Sequence, residues 1–391
     1  MNAGFQRADI TLANWRVHPF SRYSFQHVAE FVPVAEIVAA AGQEPASPGV
    51  AALADMSLTD RDGSNINPTA HFRRSHTDHI VVMRNGAVIA EWLDEGVDPS
   101  RPHLIFSVSK SVTGMLAGIA AQEGYLDPDA PIVSYLPSMK TSTYGTATVR
   151  HLLDMTVDLD FDEEYLDDGG AFDRYRRAML WNPERPDTTP ETMEAFLATL
   201  GAQGHGHGRK FYYASPNTDL LGLVIERVTG ERLHRYLAER LWRPMGALGA
   251  AYVTVDRVGT ARTAGGMCIT TRDLARLGQI VLDGGRTPQG NQVIPSDWID
   301  DMRTNGDRQA WVDGNFNDMF DYGRYRSCWY DVGDERGCFA AVGIHGQWLW
   351  CDPISDVVIA KTSSRPAASD DDETALEILM LGQIAKAFET L

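Results

Sequence analysis

The sequence predicts an α+β fold, an antiparallel sheet flanked by helices with an inserted helical domain. Two observations carry this. Strand patterns fall near the start, at 79–83 and 87–93, and return late, at 340–350 and 356–361, whereas the stretch from about 125 to 260 is mainly helical in spacing. Strands from both ends of a chain that enclose a helical block imply one sheet assembled across the insertion. The 391 residues, 43% hydrophobic and 23% charged, suffice for a large core and are too apolar for disorder. No internal repeat and no linker divides the chain. It is therefore read as an arm over 1–60 packed on one body over 61–391, with 125–260 as mainly the helical subdomain.

Each element has its local reason. The first 60 residues are irregular, with Pro33, Pro45 and Pro48 and two short Ala-rich stretches, and suit an extended arm with a surface helix. Arg84-Asn85-Gly86 joins the first two strands, and Asn-Gly is the sequence of a tight hairpin turn. Residues 106–123 are apolar and rich in small side chains, with Gly124 as a natural stop, which predicts a buried helix. Further helices are expected at 218–228 before Gly230, at 232–241 before Pro244, and at 272–282 before Gly284-Gly285. A turn at Asp352-Pro353 separates the two late strands. The last helix, 373–389, is opened by Ser369 and by the acids Asp370 to Asp372, which suit a helix N-terminus.

Charge and composition exclude several roles. A net charge of −18 disfavours nucleic acid and anionic membranes, since both require a basic face. The beginning of the chain lacks an uninterrupted apolar run, and 31–40 is too short and too interrupted by Pro33 and Glu36 to span a bilayer. Cys268, Cys328, Cys338 and Cys351 form no CxxC pair, so they are expected as free thiols of a cytoplasmic protein. His71, His76 and His79 cluster, and His205 and His207 lie in a Gly-rich loop, but no carboxylate sits at a liganding spacing. No metal and no cofactor is expected. The 204–208 loop is read as a flexible segment near a cleft that gates access.

The pattern that carries chemistry is Ser107-Val108-Ser109-Lys110 at the start of the buried helix. Residues three apart share a helix face, so the Lys110 amine can reach the Ser107 hydroxyl. A serine becomes a nucleophile when a neighbouring base takes its proton, and burial lowers a lysine pKa enough to help. The helix start also offers backbone N–H groups where an oxyanion would develop. Ser111, four residues on from Ser107, is read as a backup hydrogen-bond donor, and Ser109 points elsewhere.

The sequence around this motif resembles the serine β-lactamase and penicillin-binding-protein-like superfamily. The resemblance runs over roughly 75–385, through Gly124-Tyr125-Leu126-Asp127-Pro128, the segment 130–137, His151-Leu152-Leu153-Asp154-Met155, Tyr213-Ala214-Ser215-Pro216-Asn217, Gly265-Gly266 and Gly343-Ile344-His345-Gly346-Gln347. Within it the chain looks most like the 6-aminohexanoate-dimer (nylon oligomer) hydrolases and related carboxylesterases. The resemblance implies a β-lactamase/transpeptidase-like fold with the cleft between sheet and helical domain. It implies Ser107 as nucleophile, Lys110 and Tyr213 as a proton-transferring unit, and Ser215 as a partner of Lys110. The backbone N–H of Ile344 would complete an oxyanion hole with that of Ser107.

Tyr165, Trp181 and His345 are the expected substrate-binding residues on the same ground. The lysine that grips a β-lactam carboxylate is missing, because Ala341 and Val342 precede Gly343; Lys361-Thr362-Ser363 imitates the missing motif and is read as structural. By the same resemblance, Arg174-Tyr175-Arg176-Arg177 stands where members active on aminohexanoate oligomers can use an acid to hold the substrate ammonium, and arginine there points toward an anionic or neutral acyl group. The acidic run 160–164 is read as a solvated loop. The expected partner is thus a small-molecule amide or ester, and a homodimer stays open. A plain short-chain carboxylesterase, a β-lactamase or D,D-peptidase, and a catalytically silent ligand-binding homologue are the alternatives.

Overall fold

A computed structural model describes residues 4–44, 46, 51–164 and 169–389. Its main sheet has seven antiparallel strands in the order Ala87–Leu93, Thr77–Arg84, Val357–Ser363, Gln347–Asp352, Phe339–Gly343, Trp329–Asp331 and Arg324–Arg326. The early hairpin closes with Arg84 opposite Ala87, and Asn85 and Gly86 take φ of 50° and 73°. Positive φ at both central residues matches the turn to the strand twist, and Asn and Gly tolerate it best. The late strands complete the sheet from the other end of the chain: Val357–Ser363 pairs directly with Thr77–Arg84.

The late segment 340–350, read from sequence as one strand, is two. Phe339–Gly343 and Gln347–Asp352 pair as a hairpin around Ile344-His345-Gly346, where His345 and Gly346 have φ of 62° and 84°. Gly343 and Gly346 on either side of Ile344-His345 mark this turn in the sequence, a signal that the single-strand reading passes over. The sequence reading also missed a second sheet of four short strands, Val34–Glu36, Tyr252–Thr254, Met267–Ile269 and His103–Leu104. Strands of two or three residues leave almost no period to detect. The helix expected over 232–241 ends at Leu237 and continues as a π-helical turn, Ala238–Trp242.

Helix Val108–Gln122 lies between the sheet and the helical block. It packs on Phe339–Gly343 on one side and on helix Ser215–Thr229 on another. Its glycines explain how it fits: a Cβ on Gly114 would run into the Ser327 carbonyl, and one on Gly118 into the Trp298 indole. Helix Thr271–Leu282 crosses Val357–Ser363 and Thr77–Arg84, and Asp371–Ala387 packs on Val357–Ser363 with Asp370 as its capping side chain. The arm is anchored by Trp15, Phe25 and Val28, all fully buried. Among the described residues no helix is long and apolar enough to cross a membrane.

Candidate active site

Ser107 stands at the N-cap of the buried helix, immediately after Phe106, whose φ is 44°. A left-handed bulky residue costs energy and persists only where its surroundings hold it. Here the Phe106 ring is buried against Phe25 at 4.9 Å and His345 at 5.1 Å. His345 is itself left-handed, with Gly346 after it. The turn that presents Ser107 and the hairpin that presents Ile344 are thus locked together by ring contact. His345 is further fixed by its Nδ1, 2.7 Å from the Arg365 carbonyl. A carbonyl only accepts, so Nδ1 carries the proton. Burial pulls the His345 pKa down to about 4, which keeps the ring neutral.

Lys110 follows Ser107 by one helical turn and is 1% exposed. Its Nζ lies 3.0 Å from Ser107 Oγ, 3.0 Å from Ser215 Oγ and 2.7 Å from the Ala264 carbonyl. Desolvation lowers its pKa to about 8, with Glu163 and Asp219 opposing the shift. Ala264 can only accept, so a neutral Lys110 has its lone pair free to face a hydroxyl. Tyr213 meets Lys110 through its ring, whose centroid is 4.8 Å from Nζ, and Asn315 fixes the Tyr213 backbone N–H at 2.9 Å.

Two cavities meet at Ser107 and Ile344. The larger, about 610 Å³, is lined by Trp181, His345, Ser215 and Phe172, with Arg16, Arg176 and Arg262 and the carboxylates Glu163 and Glu164. The smaller, about 60 Å³, is lined by Tyr213, Phe316, Met319, Tyr330 and Trp348. Neither the Ser107 nor the Ile344 N–H donates to a backbone carbonyl among the described residues. Trp181 is a buried wall: its Nε1 donates to Thr254 Oγ1 at 3.1 Å, and the Arg262 guanidinium stacks 3.8 Å over its ring.

Ser107, Lys110, Tyr213, Ser215, Ile344, Trp181 and His345 therefore come together, whereas Tyr165 lies outside the described residues. Other expectations need correction. Ser111 is no backup donor, because its hydroxyl donates to the Cys328 carbonyl at 2.6 Å. The 204–208 loop lines neither cavity at Ser107; its backbone N–H groups wrap the Asp158 carboxylate at 2.8–3.2 Å, which fixes it in place. The acidic run is not simply solvated, since Glu163 accepts the Ser215 N–H. Lys361 is buried away from both cavities on Glu377, Ser363 and the Gly346 carbonyl. Among the described residues no cluster of His, Cys, Asp and Glu could hold a metal ion, and the four cysteines are buried free thiols.

Sequence reasoning missed Arg262 and Arg16. Arg262 lies three residues before Gly265-Gly266, a segment already singled out, so proximity to that motif was a usable signal. Arg16 had none; only folding brings the arm to the cleft.

The β-lactamase family model matches residues 35–382. The chain belongs to the β-lactamase family. Across 388 residues it is 34% identical to a 6-aminohexanoate-dimer hydrolase from Paenarthrobacter ureafaciens, covering 99% of this chain and 96% of that one. A Bacillus anthracis structure named for the same activity superposes with a TM-score of 0.88 at 25% identity, covering 99% of both chains. A family VIII carboxylesterase shares the fold, with a TM-score of 0.56 at 16% identity over 80% of this chain and 95% of that one. Membership makes this chain a β-lactamase-like serine hydrolase with the α+β fold expected from its sequence.

Proposed function

We propose that the enzyme cleaves small amides or esters through an acyl-serine intermediate at Ser107, as a 6-aminohexanoate-dimer hydrolase-like amidase that also accepts short-chain esters. The observation that carries this is the buried Lys110 amine 3.0 Å from Ser107 Oγ at the mouth of a cavity. In this reading Ser107 Oγ bonds to the substrate carbonyl carbon as its proton passes to Lys110. The N–H groups of Ser107 and Ile344 hold the oxyanion. Tyr213, working with Lys110, protonates the departing amine or alkoxide. Water then enters and releases the acid. Trp181 and His345 wall the acyl side. Four buried free thiols support a cytoplasmic location.

Hydrolysis of 4-nitrophenyl acetate and butyrate, with the 6-aminohexanoate dimer alongside, tests the reading. Ser107→Ala should lose at least about 10³-fold in kcat on every substrate turned over. Tyr213→Phe should cost about 10²–10⁴-fold on an amide and less on a nitrophenyl ester, whose leaving group departs without a proton. Turnover unchanged in Ser107→Ala would dismiss the nucleophile, and equal losses on both substrates would dismiss Tyr213 as the acid.

A further inference from the structure

We propose that the acyl group this enzyme takes carries a carboxylate at its far end, so that its substrates are monoesters or monoamides of dicarboxylic acids. The inference rests on the acyl-serine reading and narrows its substrate: the ammonium-ended acyl group of the 6-aminohexanoate dimer would be the poorer fit, and a carboxylate-ended one the better.

Arg262 is the central observation. It is 6% exposed and lines the larger cavity, yet its Nε and Nη1 have no hydrogen-bond partner, and it forms no ion pair among the described residues. Its contacts are aromatic, with Trp181 at 3.8 Å and Tyr175 at 5.1 Å. A buried guanidinium with unused N–H groups is costly unless something supplies the missing acceptors. Arg16 stands on the same cavity with its buried Nε likewise unpartnered. Burial, and then repulsion by Arg176 and Arg262, push Arg16 well below the usual guanidinium range, against the pull of Asp173.

Asp219 feels the charge of Arg262, but no carboxylate among the described residues lies within ion-pairing distance of that guanidinium. Glu163 accepts the Ser215 N–H beside Lys110, and Glu164 is exposed at the mouth. Asp173 is held by Arg177 at 3.0 Å and by Arg185 at 3.2 Å. Asp219 takes the Tyr175 hydroxyl and the Ala264 N–H. In a chain of net charge −18, this cavity is lined by three guanidiniums, of Arg16, Arg176 and Arg262, against two carboxylates, of Glu163 and Glu164. A carboxylate is the planar, bidentate acceptor that a guanidinium fork matches best.

Geometry assigns the anion to the acyl side. Ser107 and Ile344 line both cavities, Tyr213 only the smaller, and Arg16 and Arg262 only the larger. The leaving atom must face its proton donor, so the leaving group occupies the Tyr213 side. The acyl chain then extends toward the arginines. Arg365 on the smaller cavity is a different case, because the Glu377 carboxylate is 3.6 Å away. In each turnover the ester or amide bond breaks, the Ser107 ester forms, and water releases a dicarboxylate.

The test compares 4-nitrophenyl monoesters of glutaric and adipic acid with the neutral pentanoyl and hexanoyl esters and the cationic 6-aminohexanoyl ester. For the wild type, kcat/KM should be at least about tenfold higher for the carboxylate esters than for the neutral ones, as charge-assisted pairing predicts, and lowest for the cation. Arg262→Gln should bring the anion-to-neutral ratio close to one, and Arg262→Lys should keep part of it. Should Arg262→Gln fail to fold, Arg16→Gln on the partly exposed arm should lower the same ratio, as should raised salt with the wild type. A wild type that prefers the neutral or cationic ester overturns the proposal while leaving acyl-serine hydrolysis intact. If no ester gives turnover that depends on Ser107, the underlying reading fails instead.

Discussion

Lys110 is held by three oxygens, which its ammonium form satisfies with three donors. Only the neutral amine can take a proton from Ser107, however, and burial brings that form within reach by lowering the pKa to about 8. The sign of the pH dependence follows. Below about 8 the amine is protonated and idle; above it the lone pair is free. The kcat/KM for a neutral ester should therefore climb through pH 7 and level off above about 8. Ser215→Ala removes one acceptor of the ammonium and should move the rise to lower pH, by less than about one unit for a single hydrogen bond. A flat profile from pH 6 to 9 in the wild type would show that Lys110 is not the acceptor. The Ser107–Lys110 pair was legible in the sequence because a helix makes residues three apart neighbours. Ser215, 105 residues further on, was found only through a motif resemblance, since no local period encodes a contact of that separation.

The helix carrying Ser107 and Lys110 was legible as an element for a related reason: 106–123 is apolar and bounded by a glycine, and the helix spans Val108–Gln122. Its small residues, visible in the sequence without a stated purpose, acquire one from packing. Gly114 lies against the Ser327 carbonyl, a backbone atom that cannot rotate aside. Gly114→Ala should thus destabilise the protein despite the better helix propensity of alanine, by about 1–3 kcal/mol for overpacking. Urea unfolding would register this as a lower midpoint at unchanged slope. A stabilised variant would mean that the helix can shift, and with it Ser107. The hairpin carrying Ile344 was less legible. Its turn carries Gly343 and Gly346, which signal a break, but His345 is an unusual occupant of a left-handed position. Lys361 and Gln347 hold that turn from behind: Lys361, itself fixed by Ser363 Oγ, donates to the Gly346 carbonyl, and Gln347 donates to the carbonyls of Ile344 and His345. The Lys361 contact comes from pairing across strands and leaves no trace in local sequence, whereas Gln347 belongs to the turn's own motif.

At the scale of the whole molecule, the larger cavity draws its walls from the arm, the nucleophile turn, the helical block and the late hairpin. The strand–helix–strand order was readable because periodicity survives in long elements; the arm's part was not, because 1–60 has no period. Trp15 makes that part concrete. It is fully buried, meets Trp181 edge-on at 5.1 Å and donates its Nε1–H to the Trp181 carbonyl at 3.2 Å. The next residue, Arg16, donates to Asn182 Oδ1 and lines the cavity. The arm thus braces Trp181 from behind and sets a cation beside it. Trp15→Ala should cost about 3–5 kcal/mol of stability, as for a large buried aromatic. It should also raise KM for ester substrates more than it lowers kcat, because Trp181 and Arg16 lose their support while Ser107 and Lys110 rest on helix Val108–Gln122. Trp15→Phe keeps a ring and loses the hydrogen bond, so its cost should be nearer about 1–3 kcal/mol. Both numbers come from denaturant unfolding and steady-state kinetics on the same preparations, assayed where the variants are folded. If Trp15→Ala kept the wild-type KM, the arm would be cladding, and Trp181 would owe its place to Thr254 and Arg262 alone.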